Sequence, residues 1–215
     1  MIGSLRIRVP VLTGLILAAG LTLTGCGPAK AGAAVIIDQQ RVPISMVQSK
    51  VEAVTTQRAQ HGLEPKPADD LAREQIQRLI THELYLRVAA QRGVTITDGQ
   101  VDKTIADLEA RFGGAAGFQE QVAGQNIAPG DLRTFVQDFL IADALTKSIS
   151  AGATSDAETA AAQQELETLI KQTAQGLPVR VNPRYGVWNP ENGAVTATPD
   201  SVSVPGSATP VTPGQ

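Results

Sequence analysis

Aromatic side chains are scarce in this chain: Phe, Trp and Tyr together make 3% of 215 residues, with one tryptophan and two tyrosines. Binding of single-stranded nucleic acid by stacked bases is therefore excluded. Lys and Arg number 18 against 21 Asp and Glu, a formal charge of −3, so there is no basic excess to attract phosphates. A single cysteine excludes an internal disulfide framework, and two histidines leave little for an imidazole-based metal centre. The one long apolar run, Val11–Leu23, falls short of the roughly 20 residues a bilayer span needs.

Arg6 and Arg8 precede that run, giving the charged start and apolar middle of an export signal. The run closes on Leu23-Thr24-Gly25-Cys26, and Cys26 is the sole cysteine. This tetrad resembles the lipobox of bacterial lipoproteins, which implies lipidation of Cys26, a signal peptide over residues 1–25 and anchoring at the outer face of the cell membrane. Two or more acyl chains, at about 0.8 kcal/mol per buried methylene, hold a protein on a membrane stably. Residues 26–33 are rich in Gly and Ala and read as a tether, followed by a domain over 34–189. From 190 to 215 the chain is Pro, Thr, Ser, Val and Gly with almost no charge, a composition predicted to be a disordered tail.

Within the domain the helical period dominates. Ala34–Asp38 is β-branched and reads as a strand running into a turn at Gln39-Gln40, with Pro43 opening a helix that continues to His61. Asp69 and Asp70 start a second helix ended by Gly93, and Ile76, Leu79, Ile80, Leu84 and Val88 share one face that Tyr85 and Leu86 widen. Thr97 with Gln100 predicts a capping box for a third helix, Phe118–Val122 a short fourth, Pro129 the start of a fifth, and Ser155 the cap of a sixth ending at Gly176. Three of the four phenylalanines lie between Phe118 and Phe139, which predicts the densest packing there. Val179–Val181 and Tyr185–Trp188 read as extended segments.

No motif offers catalysis. His82-Glu83 begins a zincin-like pattern, but position 86 is leucine where the second histidine belongs. No serine occupies a Gly-x-Ser-x-Gly elbow, and Arg111–Gly117 lacks the Lys-Ser/Thr ending of a phosphate loop. The reading is a protein that is not an enzyme and uses neither cofactor nor metal.

The order of the pieces is more telling. "AVIIDQQRVPISMVQSKV", "LITHELYLRVAAQRGVTITDGQVDKTIADLEARFGG" and "FQEQVAGQNIAPGDLRTFVQDFLIADAL" together resemble the N-terminal domain of the SurA/PrsA chaperone family over roughly Ala34–Ile149. The resemblance rests chiefly on the helix ending in "RGVTITDGQVD". It implies a mainly α, SurA/trigger-factor-like helical chaperone domain, closed by a short β pair from its two ends. It also implies an extracytoplasmic chaperone whose partners are unfolded exported polypeptides and, through the lipid, the membrane. Leu79, Leu84, Leu86, Phe135 and Phe139 are the candidate client contacts. Many relatives insert a parvulin isomerase domain before the last helix; here only "SAGATS" stands at that place, too short for a folded domain, so isomerase activity is not expected. The closing strand is placed in "VRVNPRYGVWNP", pairing with "AVIID", and removal of residues 192–215 is expected to leave stability unchanged. The alternative is a structural or adaptor lipoprotein holding one envelope partner.

Overall fold

A computed structural model describes residues 32–151 and 155–198. The segments read as a signal peptide, as a lipobox ending at Cys26 and, for the most part, as a tether lie outside the described residues, as do residues 199–215.

The chain begins as a hairpin. Strand β1 (Ala33–Ile37) turns at Asp38-Gln39 and pairs antiparallel with β2 (Gln40–Pro43), matching Ile37 to Gln40 and Val35 to Val42. Asp38 takes the left-handed conformation, φ 55, that a two-residue hairpin turn demands and that Asp tolerates. The second strand corrects the expectation of a turn leading straight into a helix: four residues ending in Pro are a weak strand signal, and Pro43 fits only because it ends an edge strand. Strand β1 also starts at Ala33, inside the segment read as tether, and Ala33 is buried.

Six α-helices follow among the described residues: α1 (Ile44–Gln60), α2 (Ala68–Arg92), α3 (Asp98–Arg111), α4 (Ala115–Gly124), α5 (Leu132–Ile149) and α6 (Asp156–Gly176). A 3-10 turn at Pro129–Asp131 leads into α5. Their ends follow local chemistry. Thr97 with Gln100 and Ser155 with Glu158 form complete capping boxes, and Gly93 ends α2 in the left-handed conformation with Val94 N–H donating to Ala89 O at 2.9 Å. None of the described helices is long and apolar enough to cross a membrane.

Helix α2 is central, touching α1, α5, α6 and β1. Its inner stripe, Ile76, Ile80 and Leu84, joins Val35, Val47, Ala174 and Tyr185 in the largest buried cluster. The phenylalanines do not form this core, contrary to the expectation above. Phe118 packs with Val122, Ile127 and Phe135 in a smaller satellite against α3, and Phe139 is exposed. Large aromatic area counts in a core only where the neighbouring elements bring partners to it.

The two ends of the domain meet. Strand β3 (Val179–Val181) pairs antiparallel with the far edge of β1, Val35 against Val181 and Ile37 against Val179, giving the order β2-β1-β3. Asp38 N–H donates to Pro178 O at 2.7 Å and Asn182 N–H to Ala34 O at 2.9 Å, so the pairing is continued at both ends. Tyr185, 3% exposed, and half-buried Trp188 reach the same cluster as Val35. Trp188, however, sits on a separate hairpin, β4 (Val187–Asn189) with β5 (Ala194–Thr196), instead of pairing with β1. That hairpin also corrects the boundary at 190, because Val195, placed in the tail, is 9% exposed. Gly186 permits the close approach: its φ is 138, and a Cβ there would lie 2.2 Å from Thr196 O.

Candidate functional site: a groove between α2 and α5

Helix α2 carries a second stripe beside its core face. Leu79, His82 and Tyr85 recur at three-residue steps, and Asp131 just before α5 continues into Phe135, Asp138 and Ala142 on it at steps of three and four. The helices pack directly where Val88 and Ala89 meet Ile141 and Leu145. Over the second stripes they leave a groove of about 1100 Å³, bounded at one side by Ala194 and Val195 of β5.

Its apolar surface comes from Leu79, Tyr85, Ile127, Phe135, Phe139 and Val195. Phe139 is 57% exposed, the most exposed of the large apolar residues described. A benzyl group left in water at a groove rim is what an apolar guest would cover.

Every charged side chain lining the groove already has a partner. Lys66 pairs with Glu74 at 3.2 Å, Arg73 with Asp70 at 2.8 Å, and Asp131 with Lys50 of α1. His82 Nδ1 lies 2.6 Å from Asp138 Oδ1, a bridge between α2 and α5. The hydrogen bond to Asp138 raises the His82 pKa, outweighing burial, which acts the other way. Arg78 donates to Gln125 O and lies 5.8 Å over the Phe135 ring, while burial lowers its pKa against the pull of Glu74, Asp131 and Asp138. Tyr85 is raised, first by burial and then by Asp138. Each acid facing the groove meets a base or a hydrogen-bond donor, whereas Arg78 has a carbonyl and a ring face but no ion pair among the described residues, so the site presents apolar area beside one guanidinium that no carboxylate neutralises.

Two side-chain networks hold the walls. Gln77 of α2 donates from Nε2 to Gly193 O at 2.9 Å and accepts at Oε1 from Val195 N–H at 2.7 Å, presenting to the free edge of β5 the donor and acceptor of a neighbouring strand. Asn126, 4% exposed and left-handed at φ 56, accepts from Arg58 Nη1 at 2.7 Å, donates to Glu74 Oε2 at 2.7 Å, and takes the Gln75 amide on its carbonyl at 3.0 Å. It ties α1 and α2 to the connection before α5.

Of the predicted contacts, Leu79, Phe135 and Phe139 line the groove together. Leu84 does not: at 2% exposure it belongs to the core, because it lies one helical turn from Ile80 on the inner stripe. Leu86 is 37% exposed but lies outside the groove lining. Sequence reasoning missed Tyr85, Asp138 and Val195 as lining residues and treated His82 only as half a zinc motif. His82 binds Asp138, while Glu83 binds Arg87 at 2.7 Å. The recurrence of His82, Tyr85, Asp131, Asp138 and the α5 phenylalanines at helical spacing was the available signal.

The comparisons agree with this architecture. The family model of the SurA N-terminal domain matches residues 32–146. Among curated relatives, Chaperone SurA of Xanthomonas campestris pv. campestris (strain 8004) is 27% identical over 136 residues, 61% of this chain and 29% of that protein. Chaperone SurA of Alkalilimnicola ehrlichii is 32% identical over 95 residues, covering 42% and 22% of the two chains. Chaperone SurA of Methylobacillus flagellatus is 34% identical over 70 residues, covering 33% and 16%. The chain thus spans less than a third of the length of these relatives. No solved structure matches. The matched stretch, running from β1 through most of α5 and containing both helices that make the groove, places this chain in the SurA N-terminal domain family.

Proposed function

We propose that the protein is a chaperone held by lipid on the outer face of the cell membrane, where it binds unfolded segments of exported proteins and acts without prolyl isomerase activity. The observation that carries this reading is the α2–α5 groove, about 1100 Å³, with Leu79, Phe135 and exposed Phe139 on its walls. That volume lies just above the roughly 300–1,000 Å³ of ordinary ligand sites and accepts several side chains of an extended chain. Membership of the SurA N-terminal domain family supports a chaperone role. The lipobox tetrad ending at Cys26 supports the anchor, and the six residues from Ser150 to Ser155 between α5 and α6 leave no room for an inserted isomerase domain.

The direct test is aggregation of an unfolded exported protein followed by light scattering. At near-stoichiometric ratio the protein slows aggregation, and Phe139→Asp loses most of that effect while its unfolding midpoint stays put. No slowing by the unaltered chain would overturn the reading. Cells fed labelled palmitate should incorporate it into the intact chain and not into Cys26→Ala, which separately tests the anchor. A prolyl-peptide assay should return the uncatalysed rate.

A further inference from the structure

We propose that the α2–α5 groove selects guests that carry an aspartate or glutamate within an extended apolar stretch, with Arg78 as the residue that receives the carboxylate. The inference rests on the groove being a polypeptide site, as proposed above, and names the chemistry of its guests.

The charges of the groove are matched in pairs except at one place. Asp70 has Arg73 at 2.8 Å, Glu74 has Lys66 at 3.2 Å, Asp131 has Lys50, and Asp138 has His82 at 2.6 Å. Arg78 is left over. It lines the groove, yet no carboxylate among the described residues comes within ion-pair distance of it. Glu74, Asp131 and Asp138 favour its charge from farther away, but burial opposes that charge more strongly. The guanidinium is also short of acceptors: Nη2 donates to Gln125 O, while Nε is shut off from solvent without an acceptor and Nη1 makes no hydrogen bond among the described residues. Covering such a group with apolar surface alone is costly, whereas covering it with a carboxylate supplies both the counter-charge and the acceptors. A wholly apolar guest does the first, and a guest with an acidic side chain does the second.

The surroundings set what flanks the acid. Arg78 lies 5.8 Å over the Phe135 ring, and exposed Phe139 follows one turn along α5, about 6 Å at 1.5 Å per residue. Alternate side chains of an extended chain stand about 6.6 Å apart on one face. A carboxylate at Arg78 therefore puts the guest's next side chain on that face over Phe139, where an apolar group covers the exposed ring. The groove continues past Arg78 both ways along α2, to Arg73 on one side and to Tyr85 on the other. The acid accordingly belongs inside the guest segment, since a chain ending at Arg78 would leave one half of the groove unfilled.

The test uses dye-labelled peptides with both ends blocked and Leu-Ser-Glu-Ser-Leu at the centre, compared with the same peptide carrying Gln for Glu, each binding to the full chain. The Glu peptide should bind about tenfold tighter, the scale of one hydrogen bond between charged groups, and the preference should shrink in high salt. In Arg78→Gln, which keeps a donor for Gln125 O, the two peptides should bind alike, and Arg78→Lys should retain part of the preference. Equal binding of the two peptides to the unaltered chain overturns the proposal, and a Glu preference that survives in Arg78→Gln overturns the role of Arg78. A third peptide, ending in a free carboxylate directly after Leu-Ser, overturns the proposal in favour of a chain terminus if it binds tighter than the Glu peptide.

Contact is read without any substitution by titrating isotope-labelled protein. The Nε–H signal of Arg78 should move with the Glu peptide and stay in place with the Gln peptide; an equal response to both overturns the proposal. Failure of every peptide to bind sinks the chaperone reading as well, whereas tight and equal binding leaves that reading intact and removes only the acidic preference.

Discussion

Asn126 is a small side chain on which three parts of the molecule converge. Its carboxamide holds the buried Arg58 guanidinium at 2.7 Å and the Glu74 carboxylate at 2.7 Å. Replacing it by alanine takes the acceptor from Nη1 of Arg58, a side chain 7% exposed whose Nε and Nη2 keep Glu64 O, and it also loses a residue tolerant of φ 56. Asn126→Ala should cost about 1.5–3 kcal/mol in urea unfolding. His82 and Asp138 make a prediction of a different kind. The folded pKa of His82 is raised, so the bridge contributes fully below the unfolded value of about 6.5 and is lost as pH rises through the folded value. Besides Asp138, the charges acting on His82 are Glu83 on its own helix and Asp131 before α5, both favouring the protonated form. The midpoint difference between the unaltered protein and His82→Gln should therefore be largest in mildly acidic buffer and shrink toward alkaline pH. A difference that grows with pH would contradict the bridge. None of this network was legible in the sequence, because Asn126 lies 68 residues from Arg58 and 52 from Glu74, and no local pattern links them.

Among the elements, the β4–β5 hairpin behaves least as its composition implies. Its residues are small and polar apart from Val187, Trp188 and Val195, and alone it would be marginal in water. Burial of Val195 and Trp188 against the core, and the two bonds from Gln77, hold it in place. The expectation that residues 192–215 are dispensable therefore divides in two. Ending the chain at Thr198 should leave the thermal midpoint nearly unchanged, whereas ending it at Asn192 removes β5 and should cost about 2 kcal/mol, the scale of burying one valine with its hydrogen bonds. Gln77→Ala should reproduce part of that loss, and it should speed hydrogen exchange at Val195 more than at Val35. The helices needed smaller corrections: α4 runs over Ala115–Gly124 where Phe118–Val122 was expected, and α5 begins at Leu132 after a 3-10 turn at Pro129. Their caps and stops arise within four residues of sequence, as at Thr97 with Gln100 and at Gly93, and so could be read directly.

For the molecule as a whole, closure of the ends is the decisive feature. Strand β1 is flanked on both sides, by β2 from its own hairpin and by β3 from beyond α6, and Arg87 of α2 reaches Asp38 in the hairpin turn at 2.9 Å. Ending the chain at Pro178 removes β3, Tyr185, Trp188 and Val195 from the largest cluster together. A loss of several buried residues approaches the total stability of a typical domain, about 5–15 kcal/mol, so that form should fail to show a cooperative thermal transition. The contrast with the mild effect of ending at Thr198 tests whether the far end of the domain, rather than the residues after it, completes the fold.

The amino-acid sequence by itself determined the helices, most of their limits, the extended character of β1 and β3, and the family, because these depend on caps, glycines and apolar spacing within a few residues of one another. Tertiary structure alone decided that Leu84 turns inward while Leu79 faces the groove, that Val195 belongs to the domain, and that Gln77 covers a strand edge 118 residues away. The physical reason is that α2 carries two neighbouring stripes. Which of them is buried depends on the helices and strands brought against it, and that is a property of the assembled chain.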